Sequence, residues 1–504
     1  MSVTGGVEKL ATKISGFDHI SDGGVPLGRT TLVCGTAGSA KTVFAAQFLV
    51  EGIKQSNENG VFVTFEESAE DIRRNFLNFG WDIAKWEAEN KWAFVDASPR
   101  PGEENVVVGE FDLTALMARI EYAINKVGAK RVSMDSLGAI FGQLSDEQSV
   151  RRGLFAVSGA VKRLGVTTIM TAERTDEYGA IARYGVEEFV ADNVIILRNV
   201  LEGEKRRRTI EILKYRGTNH AKGEFPFTVT SDGGIVALPL SAMELKQHSS
   251  NVRITSGNED LDKMCDGGFF RDSIILISGA TGTGKTLMAS QFLAASAASN
   301  QRALLFAFEE SREQFYRNAH GWGFELEKME SEGKIKIIPQ YPEVMGLEDH
   351  LIVMKQAIEE FKPMRVAVDS LSALERISTT RSFREFVLGL TSHIKHQEIA
   401  GLFTSTTPSL LGGTSVTEAH ISTITDSIIL LRYVEMYGEM RRGLTVLKMR
   451  GSMHDKDIRE FTIDLKGMHI GKPFRQVTGI LSGSPRHTSV NELDALGGLF
   501  SDEN

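Results

Sequence analysis

GATGTGKT, residues 279–286, fits the pattern G-x-x-x-x-G-K-[ST]. A loop of this kind turns its backbone N–H groups onto phosphates, sends its lysine (here Lys285) to the outer phosphates and offers the Thr286 hydroxyl to Mg²⁺. The flanks supply the context that this chemistry needs. Residues 273–278, SIILIS, are apolar and β-branched as a buried strand should be, and residues 287–295 read as a helix of small and apolar residues. A strand, a tight turn and a helix whose N-terminal dipole favours anions follow in the required order. A chance glycine-rich turn would lack those flanks.

The same passage occurs twice. ISGFDHISDGGVPLGRTTLVCGTAGSAKT at 14–42 has its counterpart in TSGNEDLDKMCDGGFFRDSIILISGATGTGKT at 255–286. Each loop is followed by an apolar strand ending in a glutamate pair, VFVTFEES with Glu66 and Glu67 and ALLFAFEES with Glu309 and Glu310. Each copy then has a strand ending in aspartate, RVSMDSL at Asp135 and RVAVDSL at Asp369. From that aspartate to the lysine of KYRG or KMRG the interval is 79 residues in both copies, and to a second aspartate, Asp192 or Asp426, it is 57 in both. Matched intervals at several landmarks identify an internal duplication. We expect an α/β fold of two tandem phosphate-loop domains, 1–243 and 253–485, each a mainly parallel twisted sheet with helices on both faces. A polar linker at 244–252 joins them, and 486–504 reads as an exposed tail.

Composition agrees. With 504 residues the chain is too long for one ordinary core, and 41% apolar with 24% charged residues is the balance of a globular protein. No run is long and apolar enough for a membrane span, and no N-terminal segment has a signal-peptide layout, so a cytoplasmic protein is expected. Two cysteines, Cys34 and Cys265, make neither a disulfide framework nor a zinc site and read as buried thiols. The net charge of −9 argues against a nucleic-acid partner.

The chemistry of each copy follows. Thr286 should ligate Mg²⁺ directly, and Asp369 should orient it through its water shell. Adjacent Glu309 and Glu310 should polarise an attacking hydroxyl, mutual repulsion raising one pKa toward the working pH; the competing reading is an exposed acidic turn. The first loop, GTAGSAKT at 35–42, has Ala40 where glycine is usual, which is harmless if that residue keeps φ negative. Lys41, Thr42, Glu66, Glu67 and Asp135 are all retained, so nucleotide binding is expected there as well. The loops thus offer Gly38, Ser39, Ala40, Lys41, Thr42 and Val43, and Thr281, Gly282, Thr283, Gly284, Lys285, Thr286 and Leu287.

Lys214, Tyr215 and Arg216 of the first copy match Lys448, Met449 and Arg450 of the second. These basic residues are either solvated strand ends or, in a ring of such domains, groups that reach a neighbour's nucleotide. The basic runs 205–208 and 441–442 read as hairpin faces. Counting back from the second aspartate, Ser422 and Thr423 stand where the first copy has Glu188 and Phe189. Only the later copy therefore has hydroxyls to phosphorylate at this place.

The chain resembles the KaiC family, the double-domain RecA-like ATPases of the bacterial circadian clock, from about residue 16 to about residue 485. AHISTITDSIILLRYVE at 419–435, KMRGSMHDKDIREF at 448–461 and LRNVLEGEKRRRTIEILKYRG at 197–217 carry the resemblance. It implies a homohexameric double ring with ATP and Mg²⁺ between neighbours, and a second domain that is an autokinase and autophosphatase acting on Ser422 and Thr423. Glu309 and Glu310 would supply the base. Glu66 and Glu67 would activate water in a slow ATPase, and Lys214, Arg216, Lys448 and Arg450 would act on the neighbour's nucleotide. Asn78, Thr218, His220, Trp322, Arg442, Ser452 and His454 fall where family members line the nucleotide, and Thr417 where phosphate traffic is modulated. A KaiB-like partner is implied. The tail beyond Pro485 departs from the segment by which cyanobacterial members engage KaiA, so the resemblance does not extend to a KaiA-like partner.

Two other readings share the loops. A DNA motor would need basic channel loops, whereas residues 174–183 and 407–417 are mixed or nearly uncharged. A nucleotide-gated scaffold would bind ATP and transfer nothing.

Overall fold

The structure, a computed structural model, describes residues 6–98, 113–138, 147–182, 191–202, 204–238, 249–407, 421–436, 438–475, 477–480 and 486–487. The chain divides into two compact units, Met1–Met243 and Glu244–Asn504. Each unit is built on a nine-stranded sheet of the described residues.

In the first unit six parallel strands run in the order Asn193–Glu202, Thr30–Gly35, Thr167–Glu173, Arg131–Asp135, Gly60–Thr64 and Trp92–Asp96. Beyond Asn193–Glu202 the sheet continues antiparallel through Lys205–Tyr215, Glu224–Thr230 and Gly234–Ala237. The second unit repeats this plan. Its parallel set is Ser427–Met436, Ile274–Gly279, Ala400–Thr406, Arg365–Asp369, Ala303–Ala307 and Ile335–Pro339, with Glu439–Met449, Arg459–Asp464 and Gly467–Pro473 antiparallel at the edge. The expected parallel sheets are therefore present, and the basic runs at 205–208 and 441–442 lie at the starts of hairpin strands.

Burial on both faces explains the strand sequences. Thr30–Gly35 and Ile274–Gly279 are buried at every residue, because helices cover both sides of a parallel sheet. In the first unit one apolar cluster includes Phe44, Phe48 and Trp81 and another includes Ile120, Val157 and Val161. Fully buried rings such as Phe44 and Phe48 each contribute about 1.5–3 kcal/mol. The helix after each loop is buried nearly all round. In Lys285–Ala298 the small residues Ala289, Ser290 and Ala294 let it press on the sheet.

Close approach fixes one glycine in each unit. A Cβ on Gly35 would stand 2.6 Å from the Leu197 carbonyl oxygen, and one on Gly279 2.6 Å from that of Leu431. The helices behind the glutamate pairs start on serine caps. Ser68 accepts from Asp71 N, and Ser311 forms a reciprocal capping box with Gln314, each cap contributing about 1 kcal/mol. Both cysteines are buried, and burial pushes the Cys265 thiol up to about 12.

Candidate active sites

Both loops leave the C-terminal end of the central strand, where an open α/β sheet forms its crevice. In the second unit φ is positive at Gly282 (80°) and Gly284 (108°), and helix Lys285–Ala298 begins immediately after. In the first unit Gly38 (72°) and Ala40 (71°) make the same turn ahead of Lys41–Glu51. Ala40 is thus left-handed, which corrects the expectation of a negative φ. The turn requires that conformation whatever side chain is present, and a Cβ there costs about 1–2 kcal/mol.

The Lys285 ammonium donates to the carbonyls of Gly279 and Ala280, both at 2.9 Å, and Lys41 donates to that of Thr36 at 2.9 Å. Burial lowers the pKa of both lysines. Asp369 and Glu309 oppose the shift at Lys285, and Glu173, Asp135 and Glu66 oppose it at Lys41. A cavity of about 130 Å³ beside the second loop is lined by Thr281, Lys285, Thr286, Glu309, Glu310, Asp369, Ser370 and Thr406, with Ala307 and Phe315 as its apolar wall. The residues expected to handle phosphate and metal in this unit therefore share one cavity.

Asp369 is held by hydroxyls. Thr404 and Thr286 donate to it, and burial raises its pKa against those bonds and against Lys285. Asp135 accepts from Thr171 in the same way. The two glutamates of each pair part company. Glu309 accepts from Ser370 (3.1 Å) and Arg376 (2.5 Å), and Glu66 accepts from Ser136 (2.5 Å). Glu310 accepts from Asn318 at 3.1 Å and Glu67 from Asn75 at 3.2 Å. The pKa of Glu310 and that of Glu67 are raised by burial first and then by the facing Asp369 or Asp135, with the adjacent glutamate a lesser cause. Repulsion within the pair is therefore not the main origin of the shift.

The remaining expected residues fall into three groups. Ser39, Thr283, Leu287, Tyr215 and Met449 are buried, and Val43 packs on the first unit's cluster around Phe44 and Phe48. Arg442 lies over the Tyr433 ring, whose hydroxyl abuts Gly282; Arg208 and Asn199 back Gly38 similarly. Asn78 caps the C-terminus of helix Ala69–Leu77, Trp322 packs partly buried on the apolar core of the second unit, and the His220 ring stands 5.6 Å from that of Tyr215. Ser452 bonds Arg253 (2.6 Å) and Asp266 (3.0 Å), while Thr218 and His454 are half-exposed.

Ser422 and Thr423 are elsewhere. They form a short turn, Ile421–Thr423, ahead of strand Ser427–Met436. Asp426 N donates to the Ile274 carbonyl at 2.9 Å and Ile274 N to the Asp426 carboxylate at 2.8 Å, so the turn lies level with the start of the loop-bearing strand. Gly279 is at that strand's far end, about 16 Å away by the usual rise per residue. Lys448 donates to the carbonyls of Ser422 and Thr425, and Arg450 to that of Thr423. In the first unit Lys214 and Arg216 occupy the same edge, Lys214 donating to the Ala191 carbonyl and Arg216 facing Asp192 at 3.8 Å. Thr417, Glu188 and Phe189 lie outside the described residues.

Sequence reasoning missed Ser136 and Ser370, Thr171 and Thr404, Asn75 and Asn318, and Arg376. The serines stand beside the aspartates in both repeated strings, a signal that duplication could have exposed. Arg376 occupies the position of Gly142 in the first copy, so only comparison of the copies would single it out.

Among the described residues no three His, Cys, Asp or Glu side chains group as a metal cage. Mg²⁺ needs none, since it keeps most of its waters and takes one or two protein ligands beside substrate phosphates. The Thr286–Asp369 and Thr42–Asp135 pairs are of the right donor type. When bound, the ion would neutralise charge on the transferring phosphate.

Paired phosphate loops, strand-end aspartates and buried lysines define a tandem P-loop ATPase. The chain belongs to the KaiC family: the family model described as "ATPase: KaiC" matches residues 10–242 and again 254–474. It is 69% identical over 500 residues to the circadian clock protein KaiC3 of Synechocystis sp., covering 99% of both chains. It is 58% identical over 491 residues to the circadian clock oscillator protein KaiC of Thermostichus vulcanus, covering 97% of this chain and 94% of that one. Against the circadian clock oscillator protein KaiC of Synechococcus elongatus the identity is 57% over 490 residues, with the same coverage. No helix among the described residues is long and apolar enough to cross a membrane.

Proposed function

We propose that this clock-family ATPase is an ATP-dependent autokinase and autophosphatase whose acceptors are Ser422 and Thr423. Transfer runs between chains of a homohexameric ring, and the first unit is a slow ATPase. The observation that carries the reading is the opposition of acceptor and loop within one unit. With Asp426 level with Ile274, Ser422 cannot meet a phosphate seated on its own chain's Lys285. That opposition supports a donor nucleotide held by another chain, toward which the Lys448–Arg450 edge would also turn.

The side chains have defined tasks. Lys285 and the loop amides hold the transferring phosphate, with Thr286 and Asp369 at the ion. Glu310, its affinity for protons raised by burial, accepts the proton of the attacking hydroxyl. Glu309 is fixed by Ser370 and Arg376. In the first unit Glu67 does for water what Glu310 does for the serine or threonine. Lys448 and Arg450 offset charge as it develops on the neighbour's phosphate. A cytoplasmic clock or timing role and a KaiB-like partner go with this reading.

Incubation of the purified chain with Mg-ATP, followed by phosphosite mapping in a time course, tests it. Phosphate on Ser422 and Thr423 that later declines is the expected result. Turnover stimulated by DNA, or nucleotide binding without any transfer, would overturn it.

A further inference from the structure

We propose that Glu177 is a positioning residue for the first phosphate loop, acting through Thr36, and that the second loop is built without this tie. The proposal rests on the first unit's binding and hydrolysing ATP, and concerns what sets the shape of that loop.

Thr36 is the second residue of the first loop. Its hydroxyl donates to Glu177 Oε1 at 2.5 Å, while its carbonyl accepts the ammonium of Lys41 at 2.9 Å. The other carboxylate oxygen, Oε2, accepts the backbone N–H of Asn199 at 3.0 Å. One carboxylate thus ties the loop to strand Asn193–Glu202, the strand whose Leu197 carbonyl closes over Gly35. The segment that carries Glu177 is itself held by two guanidiniums. Arg174 donates to the carbonyls of Gly179 (3.1 Å) and Ala180 (3.0 Å), and Arg198 to that of Glu177 (3.2 Å). Arg198 is in turn paired with Glu211 at 2.6 Å.

The second copy lacks both halves. Ala280 takes the place of Thr36 and has no hydroxyl, and at the interval that separates Glu177 from Asp135 the second copy has Leu411. Tyr433 backs Gly282 there as Asn199 backs Gly38 in the first loop, so that contact is common to both units and the Glu177 tie is additional to it. The tie is therefore a feature of one unit, present where Ala40 replaces the usual glycine. A hydrogen bond to a charged acceptor holds the loop in one shape before ATP arrives. That is uniform binding energy, which acts on KM and leaves kcat alone.

The experiment measures ATP hydrolysis against ATP concentration in the full chain carrying Glu309→Gln and Glu310→Gln, so that second-unit turnover is suppressed. Thr36→Ala and Glu177→Ala should each raise KM about tenfold or more, with kcat within about twofold and the melting transition retained. Thr36→Ser should restore KM, and the double variant should be no worse than either single one, as coupled partners require. Unchanged or lowered KM, fully additive effects, or loss of kcat in step with loss of fold would each overturn the proposal. A control adding Glu66→Gln and Glu67→Gln should be inactive. If it still hydrolyses ATP, the assignment of first-unit chemistry fails separately, and the tie is judged by affinity for N-methylanthraniloyl-ATP, where the same tenfold weakening is required.

Discussion

The ammonium of Lys448 donates to the carbonyl oxygen of Ser422 at 2.7 Å, and the same nitrogen reaches that of Thr425 at 2.7 Å. A side chain from strand Glu439–Met449 therefore holds the proposed acceptor turn by its backbone. Burial and the nearby Arg450 lower the pKa of Lys448, with Asp426 opposing. Lys448→Met would leave two carbonyls without their cation. We expect it to lower the stability of the second unit by about 2 kcal/mol and to slow phosphorylation of Ser422 and Thr423 at least tenfold, with first-unit hydrolysis unchanged. Phosphosite time courses and thermal melts check both parts.

Complementation between chains addresses the opposition of acceptor and loop. A chain with Lys285→Ala, mixed and reassembled with one carrying Ser422→Ala and Thr423→Ala, should acquire phosphate on the Lys285→Ala chain, distinguishable by intact mass. Phosphate that never appears on that chain would mean that transfer stays within one polypeptide.

Ala40→Gly removes a side chain from a left-handed position. Relief of about 1–2 kcal/mol exceeds the 0.4–1 kcal/mol or so that glycine costs through the unfolded chain. The net expectation is a first unit more stable by about 0.5–1 kcal/mol, read as a higher denaturant midpoint at constant slope. A lower midpoint would mean that the alanine methyl makes compensating contacts.

Glu310→Gln separates stability from chemistry. Because burial and Asp369 raise the Glu310 pKa above 4.5, the native chain binds that proton more tightly than the unfolded chain does. The contribution is full below about pH 4.5 and is lost as pH rises through the raised value. The neutral glutamine should therefore melt higher than glutamate at pH 7.5, with the difference shrinking toward pH 4.5. Transfer should fall about 10²–10⁴-fold. Equal melting temperatures at both pH values would show that Glu310 ionises freely in the native chain.

Much of this was legible in the sequence because duplication supplied an internal control. The loops, their buried strands and the aspartates at 135 and 369 announce themselves by spacing and by runs of apolar residues that only a covered parallel sheet tolerates. Three features were not legible. The sign of φ at Ala40 depends on the turn that the whole loop must make, which alanine itself disfavours. The pKa of Glu310 depends on burial and on Asp369, 59 residues away in the chain, more than on its neighbour. The edge on which Ser422 sits depends on strand register, set by the pairing of Asp426 with Ile274.

If Ser422 and Thr423 are the acceptors proposed above, that register makes a solitary chain mute. A donor at one end of a strand and an acceptor at the other have no collision to make, so dilution below the threshold of assembly should stop phosphorylation outright. Near that threshold the initial velocity should climb more steeply than the first power of protein concentration.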